Sequence, residues 1–422
     1  MAAAAAMASR KAVMICATWQ HVGKTSVSMA LVDAVGKALA ANGGGEGGRT
    51  PRVGYMKPVG QKWVSAVNSR DPTGPVLRVD KDVALAREHF NMQMDYLDMS
   101  PIIIERGSTR DFLDGKRTEW EDPVITNRLR TAFAKNCAET DFLVVEGTGH
   151  CGVGSILGWN NARVAKALGI DVVLVANGGL GSTFDQLNLN RMACLVEGVD
   201  LAGVIVNKVR IGEEEKTRTY LEKAMNKFKW NAPLLGCVPY GDNLDQPSAM
   251  DLETLFETKL IGGFQHRLRR FDRYELVTTS LRRFMEKLAK EGDDILNTCF
   301  VTHASRNDII LGLLSHVSRL DSGLSGGKRF EGGLILTGSP PFNQPADFCS
   351  DYIHHANIPI LNVPQSTSNT MDAIKSYTPK LSAADDVRTT RVIEQYSPHI
   401  DVARMLGLPA TDARSPLLTV EG

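Results

Sequence analysis

The chain has 422 residues, of which 43% are hydrophobic and 23% charged, with 48 basic side chains against 48 acidic ones. This size and composition indicate two or three folded domains and exclude collagen-like, disulfide-scaffold and mainly disordered proteins. The zero net charge and the low aromatic content, 6%, argue against a nucleic-acid partner. No stretch reaches the roughly 18 apolar residues of a membrane span, so we expect no membrane partner either.

The first eleven residues are rich in alanine and contain one Arg and one Lys. They lack the long apolar region of a secretory signal peptide. The seven cysteines are dispersed and form no C-x-x-C pair, which is typical of reduced thiols in the cytoplasm. We therefore predict a cytoplasmic protein, with organelle targeting by the short N-terminal stretch as the open alternative.

In the first half of the chain, short apolar runs alternate with stretches of helical composition. The predicted strands lie at residues 11–17, 53–57, 142–146, 172–176, 202–207 and 234–238. Continuous apolar strands separated by helix-length segments are typical of a parallel sheet that is covered on both faces. The sequence therefore predicts the α/β class, with a doubly wound parallel sheet.

The second half repeats the alternation on a smaller scale. Strands are predicted at residues 298–302, 333–337 and 359–363, and helices at residues 307–318, 348–356 and 387–396. This pattern predicts a second, smaller α/β domain.

The charged stretch at residues 267–283 has two interpretations, a patch for nucleic acid or a helix with one solvated face. We favour the helix, because Leu268, Phe271, Leu276 and Leu281 are spaced for one apolar side.

The strongest chemical signal is ATWQHVGKT at residues 17–25, which follows a predicted strand and precedes a predicted helix. This is the context of a P-loop, whose backbone N–H groups and helix dipole hold phosphates. Lys24 would reach the β- and γ-phosphates, and the Thr25 hydroxyl would bind Mg²⁺. The predicted nucleotide-binding residues of this loop are His21, Val22, Gly23, Lys24, Thr25 and Ser26. The alternative is a chance Gly-Lys-Thr, since Thr18 stands where the usual pattern has Gly and Ala17 takes that place in a longer form.

Three further polar residues are expected at strand ends of the same sheet, and Asp82 is a fourth candidate that no local pattern places. Glu146 ends an apolar strand in DFLVVEGTG, as a Walker-B carboxylate does, and would hold Mg²⁺ directly or through water. Lys57 ends the second strand and would face the ligand crevice. Asp82 is a candidate second acidic ligand, and Asn207 could hydrogen-bond an adenine edge. Each has a purely structural alternative, a strand-end charge or amide.

The residues of the first half resemble the dethiobiotin synthetase family. The resemblance begins with ATWQHVGKTSVS, continues through YMKPV at residues 55–59 and VEGTG at residues 145–149, and spans about residues 11–245. It implies that Lys24 and Thr25 bind ATP and Mg²⁺. It further implies that Asp82 and Glu146 are the Mg²⁺ carboxylates, Lys57 the substrate and phosphate Lys, and Asn207 the adenine-reading Asn.

This sequence departs from the family at several places. Ala17 replaces Gly, Trp19 and His21 replace small and acidic residues of the loop, and GQK at residues 60–62 replaces a Ser/Gly-rich stretch. The resemblance therefore supports nucleotide binding better than it supports the biotin-pathway reaction.

The second half resembles a DRTGG-type domain at residues 295–314, 333–341 and 358–363, and residues 380–406 resemble the segment that comes after this domain in its relatives. The pairing resembles the N-terminal regulatory half of long phosphate acetyltransferases. We predict a dethiobiotin synthetase-like P-loop domain at residues 9–245, a DRTGG-like domain at residues 250–406 and a flexible tail at residues 407–422. No counterpart of the acyltransferase domain is present, so we expect no acetyl transfer by this chain alone.

The resemblance leads to a Mg-ATP-binding protein, regulatory or nucleotide-sensing, as the leading hypothesis. The alternative is an ATP-dependent carboxylate or carbamate ligase of the dethiobiotin synthetase type, and a third hypothesis is an assembly subunit with a vestigial site. Expected cofactors are ATP and Mg²⁺. Expected partners are a nucleotide, a second copy of the chain in a homodimer, and an effector at the DRTGG-like domain.

Overall fold

A computed structural model of the chain describes residues 11–44, 49–67, 76–116, 122–241, 244–290, 295–322, 329–338 and 347–408. The chain divides into two compact units. The first unit contains the described residues up to 241 together with residues 381–408, and the second contains those between 242 and 380.

The strands of the described residues form four sheets. They are β1 (Ala12–Ala17), β2 (Val53–Met56), β3 (Val59–Gly60), β4 (Trp63–Ala66), β5 (Leu77–Asp80), β6 (Ile102–Ile103), β7 (Phe142–His150), β8 (Val172–Asn177), β9 (Leu201–Val209), β10 (Leu234–Pro239), β11 (Leu260–Gly262), β12 (Arg273–Leu276), β13 (Thr298–His303), β14 (Gly333–Thr337) and β15 (Ile360–Asn362).

Fifteen α-helices accompany them in the same part of the chain. They are α1 (Lys24–Ala41), α2 (Lys81–His89), α3 (Tyr96–Met99), α4 (Ser108–Leu113), α5 (Asp122–Glu139), α6 (Asn161–Leu168), α7 (Gly181–Glu197), α8 (Glu214–Lys227), α9 (Ala249–Leu255), α10 (Leu281–Lys290), α11 (Asn307–Asp321), α12 (Asp347–His354), α13 (Thr367–Ser376), α14 (Asp386–Tyr396) and α15 (Val402–Leu406). None of the helices in the described ranges has the length and apolarity to span a membrane.

The first unit is built on a six-stranded sheet with the order β10–β9–β8–β1–β7–β2, in which every neighbouring pair is parallel. All six strands predicted for this half are present, so the predicted parallel α/β sheet is confirmed. The central strand β1 is buried along its whole length. A strand in that position needs apolar side chains on both faces, which explains its uninterrupted apolar sequence.

The strand order changes direction at β1, which lies between β7 and β8. The chain first moves outward to β2 on one side and later to β9 and β10 on the other side. Such a reversal opens a crevice at the carboxyl ends of the strands. The loop after β1, the end of β7 and the ends of β8 and β9 therefore share one edge of the sheet.

Two small sheets lie between β2 and α5 in the chain, one pairing β3 with β6 in parallel and one pairing β4 with β5 antiparallel. The second places Asp80 at the start of α2. The Asp80 side chain caps this helix by accepting a hydrogen bond of 2.9 Å from the Asp82 backbone N–H.

The second domain was predicted to extend to residue 406, but residues 381–408 belong to the first unit. Helix α14 packs on α1, and Val392, Ile393 and Tyr396 are buried. The prediction was wrong because an amphipathic helix does not reveal from its sequence which neighbour covers its apolar side. The start of the first predicted domain, residues 9–10, and most of the predicted tail, residues 409–422, lie outside the described residues.

The second unit contains a five-stranded sheet with the order β11–β15–β14–β13–β12, parallel except for the β11–β15 pair. The predicted strands appear as β13, β14 and β15, and two of the three predicted helices as α11 and α12. The third predicted helix, at residues 387–396, appears as α14 of the first unit. The single helix predicted for residues 267–283 was wrong. Turns and the strand β12 occupy most of this stretch, and α10 begins only at Leu281. Pairing of β12 with β13 overrides the apolar spacing, and Phe271 is buried just before the strand.

Candidate nucleotide-binding site

The loop between β1 and α1 is closely held against its neighbours. The Thr18 backbone N–H donates to the carbonyl oxygen of Val175 at 2.8 Å, and Val22 is buried. Gly23 has φ +90°, in the left-handed region, and an added Cβ would collide with Nδ2 of Asn207. Glycine is therefore required here both for its backbone conformation and for the close approach of the strand end.

The carboxylate of Glu146 contacts the side chains of the first two residues of α1. The ammonium group of Lys24 donates to Oε1 of Glu146 at 2.8 Å and also to the carbonyl oxygen of Gly147, while Oγ1 of Thr25 lies 3.1 Å from the same Oε1. The other carboxylate oxygen accepts a hydrogen bond of 2.8 Å from the Tyr55 hydroxyl. The predicted P-loop pair and the predicted Walker-B carboxylate are thus brought into direct contact.

Lys57 joins Glu146 to a second pair of carboxylates. Its ammonium group contacts Asp82 most closely, lies 3.1 Å from Oδ1 of Asp80, and lies 3.8 Å from Oε1 of Glu146. Lys81 donates to the other oxygen of Asp82 at 2.8 Å. The sequence predicted Lys57 at this edge and Asp82 only as a candidate acidic ligand, and the structure brings the two together as a buried ion pair.

Burial and charge compete at each of these groups. Burial alone would lower the pKa of Lys57, but the charges of Asp82, Glu146 and Asp80 outweigh it and raise that pKa well above its usual range. Burial would raise the pKa of Asp82, and the ammonium groups of Lys57 and Lys81 outweigh it, so this pKa is lowered. Lys57 and Asp82 therefore both favour the ionised state.

Asp80 and Glu146 are shifted in opposite directions. Burial raises the pKa of Asp80, and the nearby Lys57 does not fully offset it. Burial would also raise the pKa of Glu146, but Lys24 and Lys57 outweigh this effect and lower it. Tyr55 stays protonated because burial, followed by the charge of Glu146, raises its pKa well above the usual value. Glu146 is therefore a buried carboxylate held in its charged form by donors.

Asn207 and Lys208, at the end of β9, hold the P-loop from the other side. Nδ2 of Asn207 donates to the carbonyl oxygen of Val22 at 2.8 Å, and Nζ of Lys208 donates to that of His21 at 2.8 Å. Asn207 is fully buried. His21 and Lys208 both have positive φ, 59° and 57°. Two linked non-glycine residues in the left-handed region are typical of a ligand-binding loop that its surroundings hold in place.

The predicted metal ligands divide into two sets. Thr25 and Glu146 share one location and offer the oxygen donors that Mg²⁺ prefers. Both oxygens of Asp82 are engaged by Lys57 and Lys81. Among the residues that the structure describes, no three His, Cys, Asp or Glu side chains are arranged to hold a metal ion. Thr25 and Glu146 therefore fit Mg²⁺ only with phosphate oxygens and water as its other ligands.

A cavity of about 450 Å³ lies beside the end of β9. Gly178 and Gly179 after β8 line it on one side, and Lys208, Arg210 and Tyr220 on the other. An added Cβ on Gly178 would lie about 2.5 Å from the carbonyl oxygen of Lys208, so the two strand ends are packed closely.

The exposed face of the loop carries an aromatic pair. The rings of Trp19 and His150 are stacked at 5.9 Å between their centroids with 11° between their planes. Trp19 is 61% exposed. The position of His150 is set by the register of the sheet, since it pairs with Ala17 at the end of β1.

Several residues of the site were missed by the sequence analysis. Tyr55 and Asp80 hold Glu146 and Lys57, Lys81 holds Asp82, and Tyr396 approaches the first turn of α1. The alternating Asp-Lys-Asp of residues 80–82 at a helix start was a usable signal for a charged helix cap. Tyr396 had no signal, since it lies far away in the sequence.

Comparison with known proteins agrees with this geometry. The family model AAA_26, an AAA domain, matches residues 11–248, which is more than half of the 422 residues. The match covers β1 through β10 and includes every P-loop, Walker-B and β9 residue of the site.

Two kinds of relative are similar to this chain. The phosphate acetyltransferase of Pseudomonas putida is 24% identical over 394 residues, covering 90% of this chain and 49% of that protein. The ATP-dependent dethiobiotin synthetase of Saccharopolyspora erythraea is 34% identical over 141 residues, covering 33% of this chain and 62% of that protein. That of Aromatoleum aromaticum is 28% identical over 236 residues, covering 56% and 92%.

The chain thus spans about half the length of the phosphate acetyltransferases it matches. The predicted resemblances to dethiobiotin synthetases and to one half of the long phosphate acetyltransferases are both confirmed.

Proposed function

The chain belongs to the AAA_26 family of AAA domains, and from this premise we propose that it binds Mg-ATP and acts as a nucleotide-sensing regulatory protein. The observation that carries the proposal is the meeting of Lys24 and Thr25 on one oxygen of Glu146. In a P-loop protein these three residues hold phosphates and Mg²⁺. Without a nucleotide, the Lys24 ammonium group has the Glu146 carboxylate as its anionic partner.

Binding would redistribute the contacts of these residues. The phosphates would lie on the backbone N–H groups at the start of α1, where the helix dipole favours anions. Lys24 would exchange part of its contact with Glu146 for phosphate oxygens. Mg²⁺ would supply charge neutralisation between the phosphates, held by Thr25 and Glu146. Asp82 belongs to the proposed metal site only through water or after release from one of its lysines.

The cavity beside β9 supports a position for the nucleoside. Lys208 lines it and at the same time donates to the carbonyl oxygen of His21 in the P-loop. A nucleotide whose phosphates lie on the P-loop would place its base along the stem of this lysine. Arg210 and Tyr220 add a cation and an aromatic ring to the same cavity. Asn207 would contact adenine from this edge only if its hydrogen bond to Val22 is rearranged.

Sensing is favoured over turnover by the residues around the phosphate site. Trp19 and His21 differ from the small and acidic residues of the dethiobiotin synthetase loop. The chain resembles the N-terminal regulatory half of long phosphate acetyltransferases along most of its length. We propose that the second unit, which resembles a DRTGG-type domain, binds an effector, and that bound nucleotide determines how the protein responds to this effector.

A ligase of the dethiobiotin synthetase type is the second candidate. Lys24 and Lys57 converge on Glu146, at 2.8 and 3.8 Å, so two cations are available to offset charge that develops during phosphoryl transfer. Release of ADP that depends on both carbon dioxide and a diamine would favour the ligase. ADP release that does not respond to these substrates would favour the sensor.

The proposal is tested by thermal unfolding of the whole chain with and without Mg-ATP. A ligand that binds only the folded state raises the unfolding temperature by mass action. At 100 times the Kd we expect an increase of about 5 °C or more. Replacing Mg²⁺ by EDTA should remove most of the increase. No increase with millimolar Mg-ATP would contradict the proposal.

The proposed homodimer is supported by one side of α7. Leu189, Met192 and Val196, spaced three and four residues apart, are 72%, 52% and 82% exposed. This spacing places them on one face of the helix. Sedimentation should therefore give a dimer for the wild type and a monomer for Met192→Glu, while the exposed Glu394→Gln on α14 should leave the dimer unchanged. A monomeric wild type would contradict the proposal.

A further inference from the structure

The C-terminal segment, residues 381–408, folds back along the first unit. Ser397 donates to the carbonyl oxygen of Ala30 at 3.3 Å, on the P-loop helix α1. Farther along, the Asp401 backbone N–H donates to the carbonyl oxygen of Leu235 at 2.7 Å, and Ile400 forms an antiparallel bridge with Gly236 on the edge strand β10. The segment is thus anchored to both α1 and the central sheet of the first unit.

One polar contact of this segment reaches the P-loop. Burial raises the pKa of the Tyr396 hydroxyl, and the nearby side chains of Asn207 and Ser26 act against this shift. Its hydroxyl oxygen is 3.8 Å from the position of a Cβ on Gly23, and the residue is 6% exposed. Tyr396 therefore lies against both the first turn of α1 and the residue that holds the Val22 carbonyl.

A second polar contact reaches the carboxylate cluster. Nζ of Lys81 donates to the carbonyl oxygen of Leu381 at 3.3 Å and to Oδ1 of Asp82 at 2.8 Å. The two contacts are made from opposite ends of the stretch 381–396. Both end on side chains of the nucleotide site rather than on distant parts of the sheet.

Buried polar contacts are costly to lose. If Tyr396 moved away, the space beside Ser26 and Asn207 would open, and Asn207 could rotate away from the Val22 carbonyl. If Leu381 moved away, Lys81 would lose this acceptor and keep its hydrogen bond to Asp82. The arrangement of the P-loop and the docking of the segment therefore depend on each other.

We propose that the C-terminal segment is coupled to the nucleotide site, with Tyr396 as a positioning residue for the P-loop. The inference rests on the proposed Mg-ATP binding and adds its regulation. Nucleotide binding tightens the docking of residues 381–408, and docking raises the affinity for nucleotide by the same factor, since coupling between two sites is reciprocal. Undocking or docking of residues 381–408 on the first unit then reports whether a nucleotide is bound.

The test combines hydrogen exchange with calorimetry on the full chain. In the wild type, saturating Mg-ATP should slow amide exchange of residues 386–396 by about fivefold or more, the lower range of measured couplings. Tyr396→Phe should weaken Mg-ATP binding by about fivefold and abolish the slowing. The control is Tyr352→Phe in the second unit, where the side chain is 62% exposed, and it should behave as wild type.

A purely structural role for Tyr396 would lower the unfolding temperature without changing either nucleotide-dependent quantity. If Tyr396→Phe binds Mg-ATP as tightly as wild type, and amide exchange of residues 386–396 does not change on addition of Mg-ATP, the coupling is overturned. The proposed function would remain intact. Failure of the wild type to bind Mg-ATP would overturn the proposed function and the coupling together.

Discussion

Glu146 is the residue on which the chemistry of the site converges. It is fully buried, yet Lys24, Thr25 and Tyr55 all donate to its carboxylate. Burial acts to raise the pKa of Glu146, but the charges of Lys24 and Lys57 outweigh it and lower this pKa, so the buried carboxylate keeps its charge. Its identity could be predicted because an acidic residue at the end of an apolar strand is a local pattern.

Asp82 should make the stability of the fold depend on pH. Its lowered pKa means that its charge stabilises the fold above the unfolded-state pKa of about 3.9, and that this stability is lost as the pH falls toward the folded-state pKa. The raised pKa of Asp80 works in the opposite direction. The measurement is urea unfolding from pH 7 to pH 2. We expect Asp82→Asn to lower the free energy of unfolding by about 3 kcal/mol at pH 7. On acidification, the free energy of unfolding should fall less in Asp82→Asn than in wild type.

The matched control for Asp82 is Asp372→Asn on α13, in the second unit and outside the carboxylate cluster. It should stay within about 0.5 kcal/mol of wild type at neutral pH. Equal acid sensitivity of Asp82→Asn and wild type would show that the ion pair with Lys57 does not carry the pH dependence.

At the scale of elements, the site is formed where the loop after β1 is hydrogen-bonded to the end of β9. Asn207 donates to Val22, and its Oδ1 accepts from the Lys208 backbone N–H at 2.8 Å. We expect Asn207→Ala to lower the free energy of unfolding by about 1–3 kcal/mol, because two backbone groups lose their partner. It should also weaken Mg-ATP binding. Urea unfolding and calorimetry measure the two effects.

The control for Asn207 is Asn226→Ala, on the exposed side of α8. A helical surface position of this kind should change stability by no more than about 0.5 kcal/mol. If Asn207→Ala were as stable as Asn226→Ala and bound Mg-ATP normally, the strand end would not be holding the loop.

Many of the elements could be predicted because their signals are local. The strands of the parallel sheet are continuous apolar runs, and the Gly-Lys-Thr lies between one such run and a helix. Residues 267–283 could not be predicted this way. The apolar spacing there suits a helix, but β12 pairs with β13, and that contact is formed with residues about 25 positions away. Local spacing carries no information about such pairing.

The residues of the site differ in the same way in how far local sequence defines them. The residues that could be predicted to share one edge follow strands or open a helix, and they are Lys24, Thr25, Lys57, Glu146 and Asn207. Tyr55 donates to Glu146 across 91 positions of sequence, and Tyr396 reaches Ser26 from the far end of the chain. These partners are defined only by tertiary packing.

At the scale of the whole molecule, the first unit is completed by the end of the chain. Truncation after Lys380 would remove α14 and α15 and uncover the side of α1 on which α14 packs. Val392, Ile393 and Tyr396 are buried there, and a buried large side chain contributes about 1.5–3 kcal/mol. We expect the truncated protein to unfold at a lower urea concentration and to be cleaved faster by protease within the first unit.

A second truncation, after Gly407, serves as the control because it keeps both helices. It should unfold like the full chain. A protein truncated after Lys380 that is as stable as the full chain would contradict the assignment of residues 381–408 to the first unit.

The central claim is that Lys24 and Glu146 form a working nucleotide site. The most direct test is calorimetric titration of Mg-ATP into wild type, Lys24→Ala and the control Lys37→Ala, whose side chain is on the same helix and 71% exposed. We predict measurable binding to wild type and Lys37→Ala, and at least tenfold weaker binding to Lys24→Ala, a loss of about 1.4 kcal/mol or more. Equal affinity of Lys24→Ala and wild type, or no binding to any of the three, would contradict the claim.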